Sequence, residues 1–462
     1  MNIRTRWLSA ALFTSLLFLD FGLAYGEGAV TPQPAVATPA SSKVSATRAK
    51  IAEAETRCSA ATTYQTPLRA THGRLRVKGK LRMKHFTADR PVILCGFRAS
   101  DQSWHVVEVR VHSTAKEGER VFSYTPVTPG YSVDRLLGRG TTRLMFDLTD
   151  LNGEHIVVYR MRHLDIPHEA IDRELPGRRL LELATVQTYT PAHPDFADPD
   201  HTLFGMRYLK SEILAAQQEL RDAGVPSETF TERLLADVIP WEIPMALGAI
   251  EQMDDERFVA DERAEIESVY LHYALNGEKA FRYSVSPANA TGAFQFTNKN
   301  GNGTYSWVVR ECKGAALDPR FPEGAQNLRN AIKAAICLLD MELAQLPSAQ
   351  ELYRRKPLIG GIYPVAAYNG GHGWAVELEN TLAQSGVDLE GENVELPDRL
   401  IIRRPSANAA QTAKKRTRIR ISRKIENKET AIYVQKYVAV INFLADHVYH
   451  LDSDDTASPP TR

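Results

Sequence analysis

The hydrophobic period of this chain changes once, near residue 200, and that change restricts the fold more than any single motif. Before it, Leu75, Val77, Leu81 and Met83 alternate with Arg74, Arg76, Lys78, Lys80, Arg82 and Lys84, and Val107, Val109 and Val111 alternate with Glu108, Arg110 and His112. A period of two belongs to a strand with one apolar face. The run from Arg143 to Leu148 reaches Asn152-Gly153 and returns as Ile156 to Met161, which closes a hairpin. After the change, Leu209, Ile213, Ala216 and Leu220 fall on one helical face that Gly224 and Pro226 terminate. Thr229 with Glu232 then reads as the capping box of a following helix. From there to residue 451 the period stays helical, interrupted by Pro240, a polar Gly/Asn loop at 298–303 and a basic segment at 403–428. The expected fold class is therefore α+β. A β-rich accessory domain, sandwich or barrel, spans 58–170, a helical linker spans 171–228, and a mainly α domain spans 229–451, before a disordered tail at 452–462.

Composition narrows the function classes. With 462 residues, 43% hydrophobic and 24% charged, the chain is neither a disordered nor a collagen-like sequence. Its 56 Lys+Arg balance 56 Asp+Glu, so no global field draws it to nucleic acid, and no nucleic-acid partner is expected. Arg4 and Arg6 precede an apolar run from Leu8 to Leu23, with small residues at Ala24 and Gly26, so residues 1–26 read as a secretory signal peptide. Residues 27–57, rich in Pro, Ala, Thr and Ser, read as a tether. The expected location is periplasmic or secreted, with no integral membrane segment after signal cleavage. In such a compartment Cys58, Cys95, Cys312 and Cys337 have the opportunity to pair. Four cysteines permit three connectivities, and pairing within domains joins Cys58 to Cys95 and Cys312 to Cys337. No C-x-x-C supports a zinc site, and no cofactor is implied.

The chemistry is concentrated after Pro240. In the run PWEIPMALGAIEQMDDERF, Met245, Leu247 and Ile250 form an apolar face, and Glu251 follows at its end. A carboxyl group entering a cleft from such a helix is poorly solvated, which raises its pKa and suits it to act as a general acid. Downstream stand Ser286-Pro287-Ala288-Asn289-Ala290-Thr291-Gly292-Ala293-Phe294-Gln295, then Ala367-Tyr368-Asn369-Gly370-Gly371, then Glu429-Thr430-Ala431-Ile432-Tyr433-Val434.

In that order these blocks resemble the soluble lytic transglycosylases, enzymes with a goose-lysozyme-like fold that cleave peptidoglycan glycan strands. The family has a proline with a glutamate eleven residues on, as Pro240 and Glu251 are here, then S-x-x-G-A-x-G-L-M-Q, A-Y-N-A/G-G and E-T-x-x-Y-V. The resemblance covers roughly residues 230 to 445 and leaves the β-rich half unexplained. It implies a lysozyme-like domain in which Glu251 protonates the glycosidic oxygen between N-acetylmuramic acid and N-acetylglucosamine. The same carboxylate then takes the muramyl C6 hydroxyl proton, closing a 1,6-anhydro ring without consuming water. It also implies glycan-binding roles for Ser286, Gly292, Gln295, Tyr368, Asn369 and Tyr433. The plainer reading of Tyr368 and Asn369 is a buried aromatic beside a turn.

This chain departs from the pattern in three places. Gln252 stands where the family has serine after the acid. Glu251 lies 35 residues before Ser286, farther than in the family, so an insertion separates them, and within it Glu267-Ser268 and Glu278 offer rival acids. The stretch of 58 residues from Gly371 to Glu429 is also long, and it holds the basic run Lys414, Lys415, Arg416, Arg418, Arg420, Arg423 and Lys424. That run reads as an exposed hairpin or a contact for anionic wall polymer. Asp254, Asp255 and Glu256 read as a solvated face, or as water-positioning carboxylates that would make the enzyme a hydrolysing muramidase. Asp195, Asp198, Asp200 and His201 have the composition of a cation site without its spacing, and read as a polar linker. The expected partners are peptidoglycan glycan strands and a protein bound through the β-rich domain. A wall-binding or assembly protein whose cleft lacks activity is the non-enzymatic alternative.

Overall fold

Among the described residues, every strand pairing in the β-rich half is antiparallel. A computed structural model of the chain describes residues 40–60, 65, 69–77, 80–116, 119–137, 144–165, 185–286, 288–298, 301–387, 389 and 428–452. The signal peptide, the first part of the tether, residues 390–427 with their basic run, and the tail past 452 lie outside the described residues. The side chains of the first alternating segment, residues 69–88, also lie outside them.

The strands are β1 (Arg69–Val77), β2 (Lys80–Arg98), β3 (Ser103–Lys116), β4 (Glu119–Pro126), β5 (Tyr131–Leu137), β6 (Met145–Asp150), β7 (His155–Asp165) and β8 (Thr185–Tyr189). Their order is β4-β3-β2-β7-β6-β5, with β1 added to β2 and β8 to β7. The end strands β4 and β5 approach each other, so the sheet nearly closes on itself. Its inside is filled by Val92, Leu94, Val107, Val109, Phe146, Leu148, Ile156, Val158 and Met161, the inward half of each alternation. The β6–β7 turn is built as the Asn-Gly signal implies. Gly153 has φ +80°, its N–H donates to the Asp150 carbonyl at 3.0 Å, and the Asp150 carboxylate accepts from Asn152 and Glu154 N–H.

The expected tether is shorter than 27–57. Ser42–Ala60 is a helix, α1, whose Val44, Thr47, Ile51, Ala54 and Cys58 are buried. They recur at helical spacing inside a segment whose low apolar content masks them. Ala54 and Cys58 pack on Ile93 and Cys95 from the outer face of β2, and a Cys58–Cys95 disulfide with Cα atoms 5.9 Å apart ties the two elements.

The helical half starts with α2 (Pro199–Asp222), capped by the Asp198 carboxylate on the N–H groups of Asp200 and His201. Leu209, Ile213, Ala216 and Leu220 are all buried. At ~1.5 to 3 kcal/mol for each large side chain, that face outweighs the ~1 kcal/mol of the cap. Then follow α3 (Glu242–Ile250), α4 (Asp255–Ala260), α5 (Glu262–Asn276), α6 (Thr304–Glu311), α7 (Leu328–Ala344), α8 (Pro347–Arg355), α9 (Ile362–Gly370), α10 (His372–Gln384) and α11 (Lys428–Asp452), with single helical turns at Glu323–Gln326 and Pro357–Gly360. Helix α2 is no linker, because it packs along α5 so closely that a Cβ on Gly205 would lie 1.9 Å from the Tyr270 carbonyl oxygen. The second disulfide, Cys312–Cys337, joins the end of α6 to the buried α7.

No helix starts at the expected capping box. Thr229 Oγ1 donates to the Asp340 carbonyl instead, while the buried Asp340 carboxylate accepts from Ser227 Oγ at 2.8 Å and Glu228 N–H at 2.6 Å. The Thr229 hydroxyl, which would accept from Glu232 N–H in a capping box, instead donates to a residue more than 100 positions away, and the buried Asp340 carboxylate fixes the Ser227–Glu228 backbone just before it.

Sheet and helices are clamped together. Asn276 at the end of α5 exchanges two hydrogen bonds with the Thr190 backbone, 2.8 and 2.9 Å. Arg160 of β7, almost fully buried, pairs with Glu55 of α1 at 3.1 Å, and the described residues lie in one compact unit. Among the described residues, no helix is long and apolar enough to cross a membrane.

Candidate active site

Helix α3 is apolar on every side, since each residue from Ile243 to Ile250 is buried. A helix of this kind belongs to the core and delivers whatever follows it into low dielectric. Glu251 follows, as its C-cap in helical conformation, half-buried at the surface of the helical core. The Tyr433 hydroxyl of α11 donates to its carboxylate. Burial pushes the Glu251 carboxyl up to about 7, against the opposing effects of the Tyr433 hydrogen bond and the Lys436 charge, with a smaller upward push from Glu429. An acid at that value is about half protonated at neutral pH, so one group is able both to give a proton and to take one back.

Two further blocks converge on this carboxyl. Tyr433 is buried on α11, and its hydroxyl is pushed well up by burial and by Glu251. Tyr368 of α9 donates to the Phe294 carbonyl at 2.6 Å, and Glu251 likewise helps to raise its hydroxyl. Beside it, the Asn369 Oδ1 accepts from Thr430 Oγ1 at 3.2 Å, which joins the Ala-Tyr-Asn-Gly-Gly and Glu-Thr blocks.

The Ser286 to Gln295 loop is held to the acid's helix by the residue after the acid. Gln252 is buried, and its Nε2 donates to the carbonyls of Gly292 at 3.1 Å and Ala293 at 2.9 Å, while its Oε1 accepts from Ser284 Oγ at 3.0 Å. Gln295 donates to the same Gly292 carbonyl at 2.7 Å. Ser286 Oγ accepts from the N–H groups of Ala288 and Ala290 and so shapes its own loop. Gly292 has φ +82°, and a Cβ there would lie 2.1 Å from the Ala325 carbonyl oxygen. Its glycine is thus required by backbone packing whatever the loop binds. Gln252 and Lys436 were the residues that sequence reasoning missed as parts of the site. Their signals were the departure from serine after the acid and a lone lysine among the buried positions Tyr433, Tyr437 and Val440.

The stretch between Glu251 and the loop, expected as an insertion, folds as the helix pair α4 and α5. Glu267 lies on α5, where it pairs with Arg263 one turn away at 2.8 Å, and Glu278 is exposed in the turn Gly277–Lys279. Of the three carboxylates after the acid, Asp254 caps α4, Asp255 pairs with Lys436, and Glu256 is exposed. Asp195 accepts from His155 at 2.8 Å and faces His193 at 2.9 Å, and Asp198 caps α2. Among the described residues no group of three or more His, Cys, Asp or Glu is placed to hold a metal ion. Comparison of the chain with protein-family models, with curated proteins and with solved structures returned no match.

Proposed function

We propose that the protein is an exported peptidoglycan lytic transglycosylase that cleaves the bond between N-acetylmuramic acid and N-acetylglucosamine with Glu251 as its single acid and base. The observation that carries this reading is the environment of Glu251. A carboxyl at the end of a helix that is apolar and buried from Ile243 to Ile250, titrating near 7, accepts a hydrogen bond from Tyr433 beside Tyr368. The four blocks that resemble the lytic transglycosylases, far apart in sequence, contribute these residues and meet through Gln252–Gly292, Tyr368–Phe294 and Thr430–Asn369. Protonation of the glycosidic oxygen by Glu251 leaves a carboxylate able to accept the C6 hydroxyl proton, and an intramolecular hydroxyl has a large effective concentration over water.

The test is digestion of purified sacculi followed by mass spectrometry, run in oxygen-18 water. Products ending in 1,6-anhydro-muramic acid without solvent label support the reading. Reducing ends that carry the two-dalton label identify a muramidase, and retention on sacculi with no product identifies a wall-binding protein.

A further inference from the structure

Helix α11 grips the acid's segment twice. Tyr433 donates to the Glu251 carboxylate, and one turn later Lys436 Nζ donates to the Met253 carbonyl at 2.8 Å and to Asp255 Oδ1 at 2.6 Å. Lys436 is only 3% exposed, whereas the side chain of its partner Asp255 is 57% exposed. The pair is therefore asymmetric. A desolvated ammonium is costly, and a carboxylate facing water neutralises its field incompletely. A methionine would fill the same place on an otherwise apolar face without that cost. The charge does have one poorly solvated acid nearby on which to act, the half-buried Glu251. Among the described residues that act on Glu251, namely Tyr433, Lys436 and Glu429 from α11 and Tyr368 from α9, Lys436 is the cation.

We propose that Lys436 is a positioning residue for Glu251, locking the turn from Gln252 to Asp255 behind the acid and holding a positive charge beside it, so that the carboxyl gives up its proton and stays competent to recover one. This rests on the reading of Glu251 as the acid. Burial alone favours the protonated form, which donates once but is a poor sink for charge afterwards. A nearby cation restores stability to the carboxylate. The two grips on a single helix keep the acid's orientation and its charge state coupled.

The experiment is a carbon-13 NMR titration of side-chain-labelled glutamate, with the Glu251 resonance assigned by its loss in Glu251→Gln. The proteins compared are wild type, Lys436→Met, Lys436→Arg and Asp255→Asn. The midpoint of Glu251 should rise by about half a pH unit or more in Lys436→Met and stay near wild type in Lys436→Arg. It should fall in Asp255→Asn, where the ammonium loses its counter-charge. A rise in Lys436→Met without one in Lys436→Arg, which keeps the charge and changes the shape, is what a merely packed side chain would not produce. An unmoved midpoint in Lys436→Met, or movement in the same direction in both Lys436→Met and Asp255→Asn, overturns the proposal. If Lys436→Met fails to fold, Lys436→Gln takes its place, and an unmoved midpoint there is equally fatal. Because the readout needs no turnover, the expected shifts in a protein that releases no glycan product would uphold the role of Lys436 and refute the proposed function instead.

Discussion

Replacing Glu251 by glutamine should separate two consequences of the same burial. The amide keeps the shape but delivers no proton, so sacculus cleavage should fall by roughly a hundredfold or more, with an unchanged circular dichroism spectrum. Full activity in Glu251→Gln, with loss in Glu267→Gln or Glu278→Gln, would move the acid elsewhere. Stability should respond in the opposite sense. The folded-state carboxyl, near 7, lies above its ordinary value, so the native state favours the proton. Its contribution is fully present below about pH 4.5 and is lost as the pH rises through 7, amounting to at most about 3 kcal/mol. Glu251→Gln should therefore match wild type at pH 5 and exceed it in melting temperature at pH 8. Equal melting temperatures at both values would show that the carboxyl is not desolvated. Cleavage by the wild type should decline above about pH 7, as the initiating acid form is depleted. The raised carboxyl of Glu251 was readable from sequence because an apolar run ending in a carboxylate is a local pattern. Lys436 was not, because its meaning depends on Asp255 and Met253, which approach it only in three dimensions.

At the scale of elements, the loop that carries Gly292 depends on Gln252 for its attachment. Gln252→Ala would leave Ser284 and the buried Ala293 carbonyl short of their partner and the Gly292 carbonyl with Gln295 alone, at a cost of about 1 to 3 kcal/mol, and should raise hydrogen exchange in residues 284–296 before any other segment. Exchange that rises uniformly over the chain would instead make Gln252 an ordinary core residue. The β6–β7 hairpin and the inward valines of β3 were legible because alternation and an Asn-Gly turn act over a few residues. Helix α1 was obscured by its low apolar content, since its buried stripe includes Thr47, Ala54 and Cys58 as well as Val44 and Ile51. The expected helix after Thr229 failed for the converse reason. A local capping pattern was present, but the Thr229 hydroxyl turns to the Asp340 carbonyl, more than 100 residues away, and Asp340 holds the Ser227–Glu228 segment out of helical geometry.

Over the whole molecule, each disulfide ties a peripheral segment to a buried one, α1 to β2 and the end of α6 to α7. Peptide mapping without reductant should recover Cys58 with Cys95 and Cys312 with Cys337. Opening either loop, of 37 or 25 residues' separation, should lower stability by ~2 to 4 kcal/mol. Free thiols at both members of a pair in protein purified without reductant would refute that linkage. The pairing was legible from the division into domains, but the Asn276–Thr190 clamp between sheet and helices was not, because neither residue carries a pattern. The bond from Tyr433 to Glu251 spans 182 positions, and this distance acquires a meaning in time. A ribosome or an export channel releases the chain from its N-terminus, so the acid emerges long before the helix that furnishes its hydroxyl donor and its cation. Until α11 arrives the carboxyl has neither, and a chain cut short anywhere before residue 428 holds an unarmed acid. Under the proposed function, the cell wall meets a competent enzyme only once synthesis is complete.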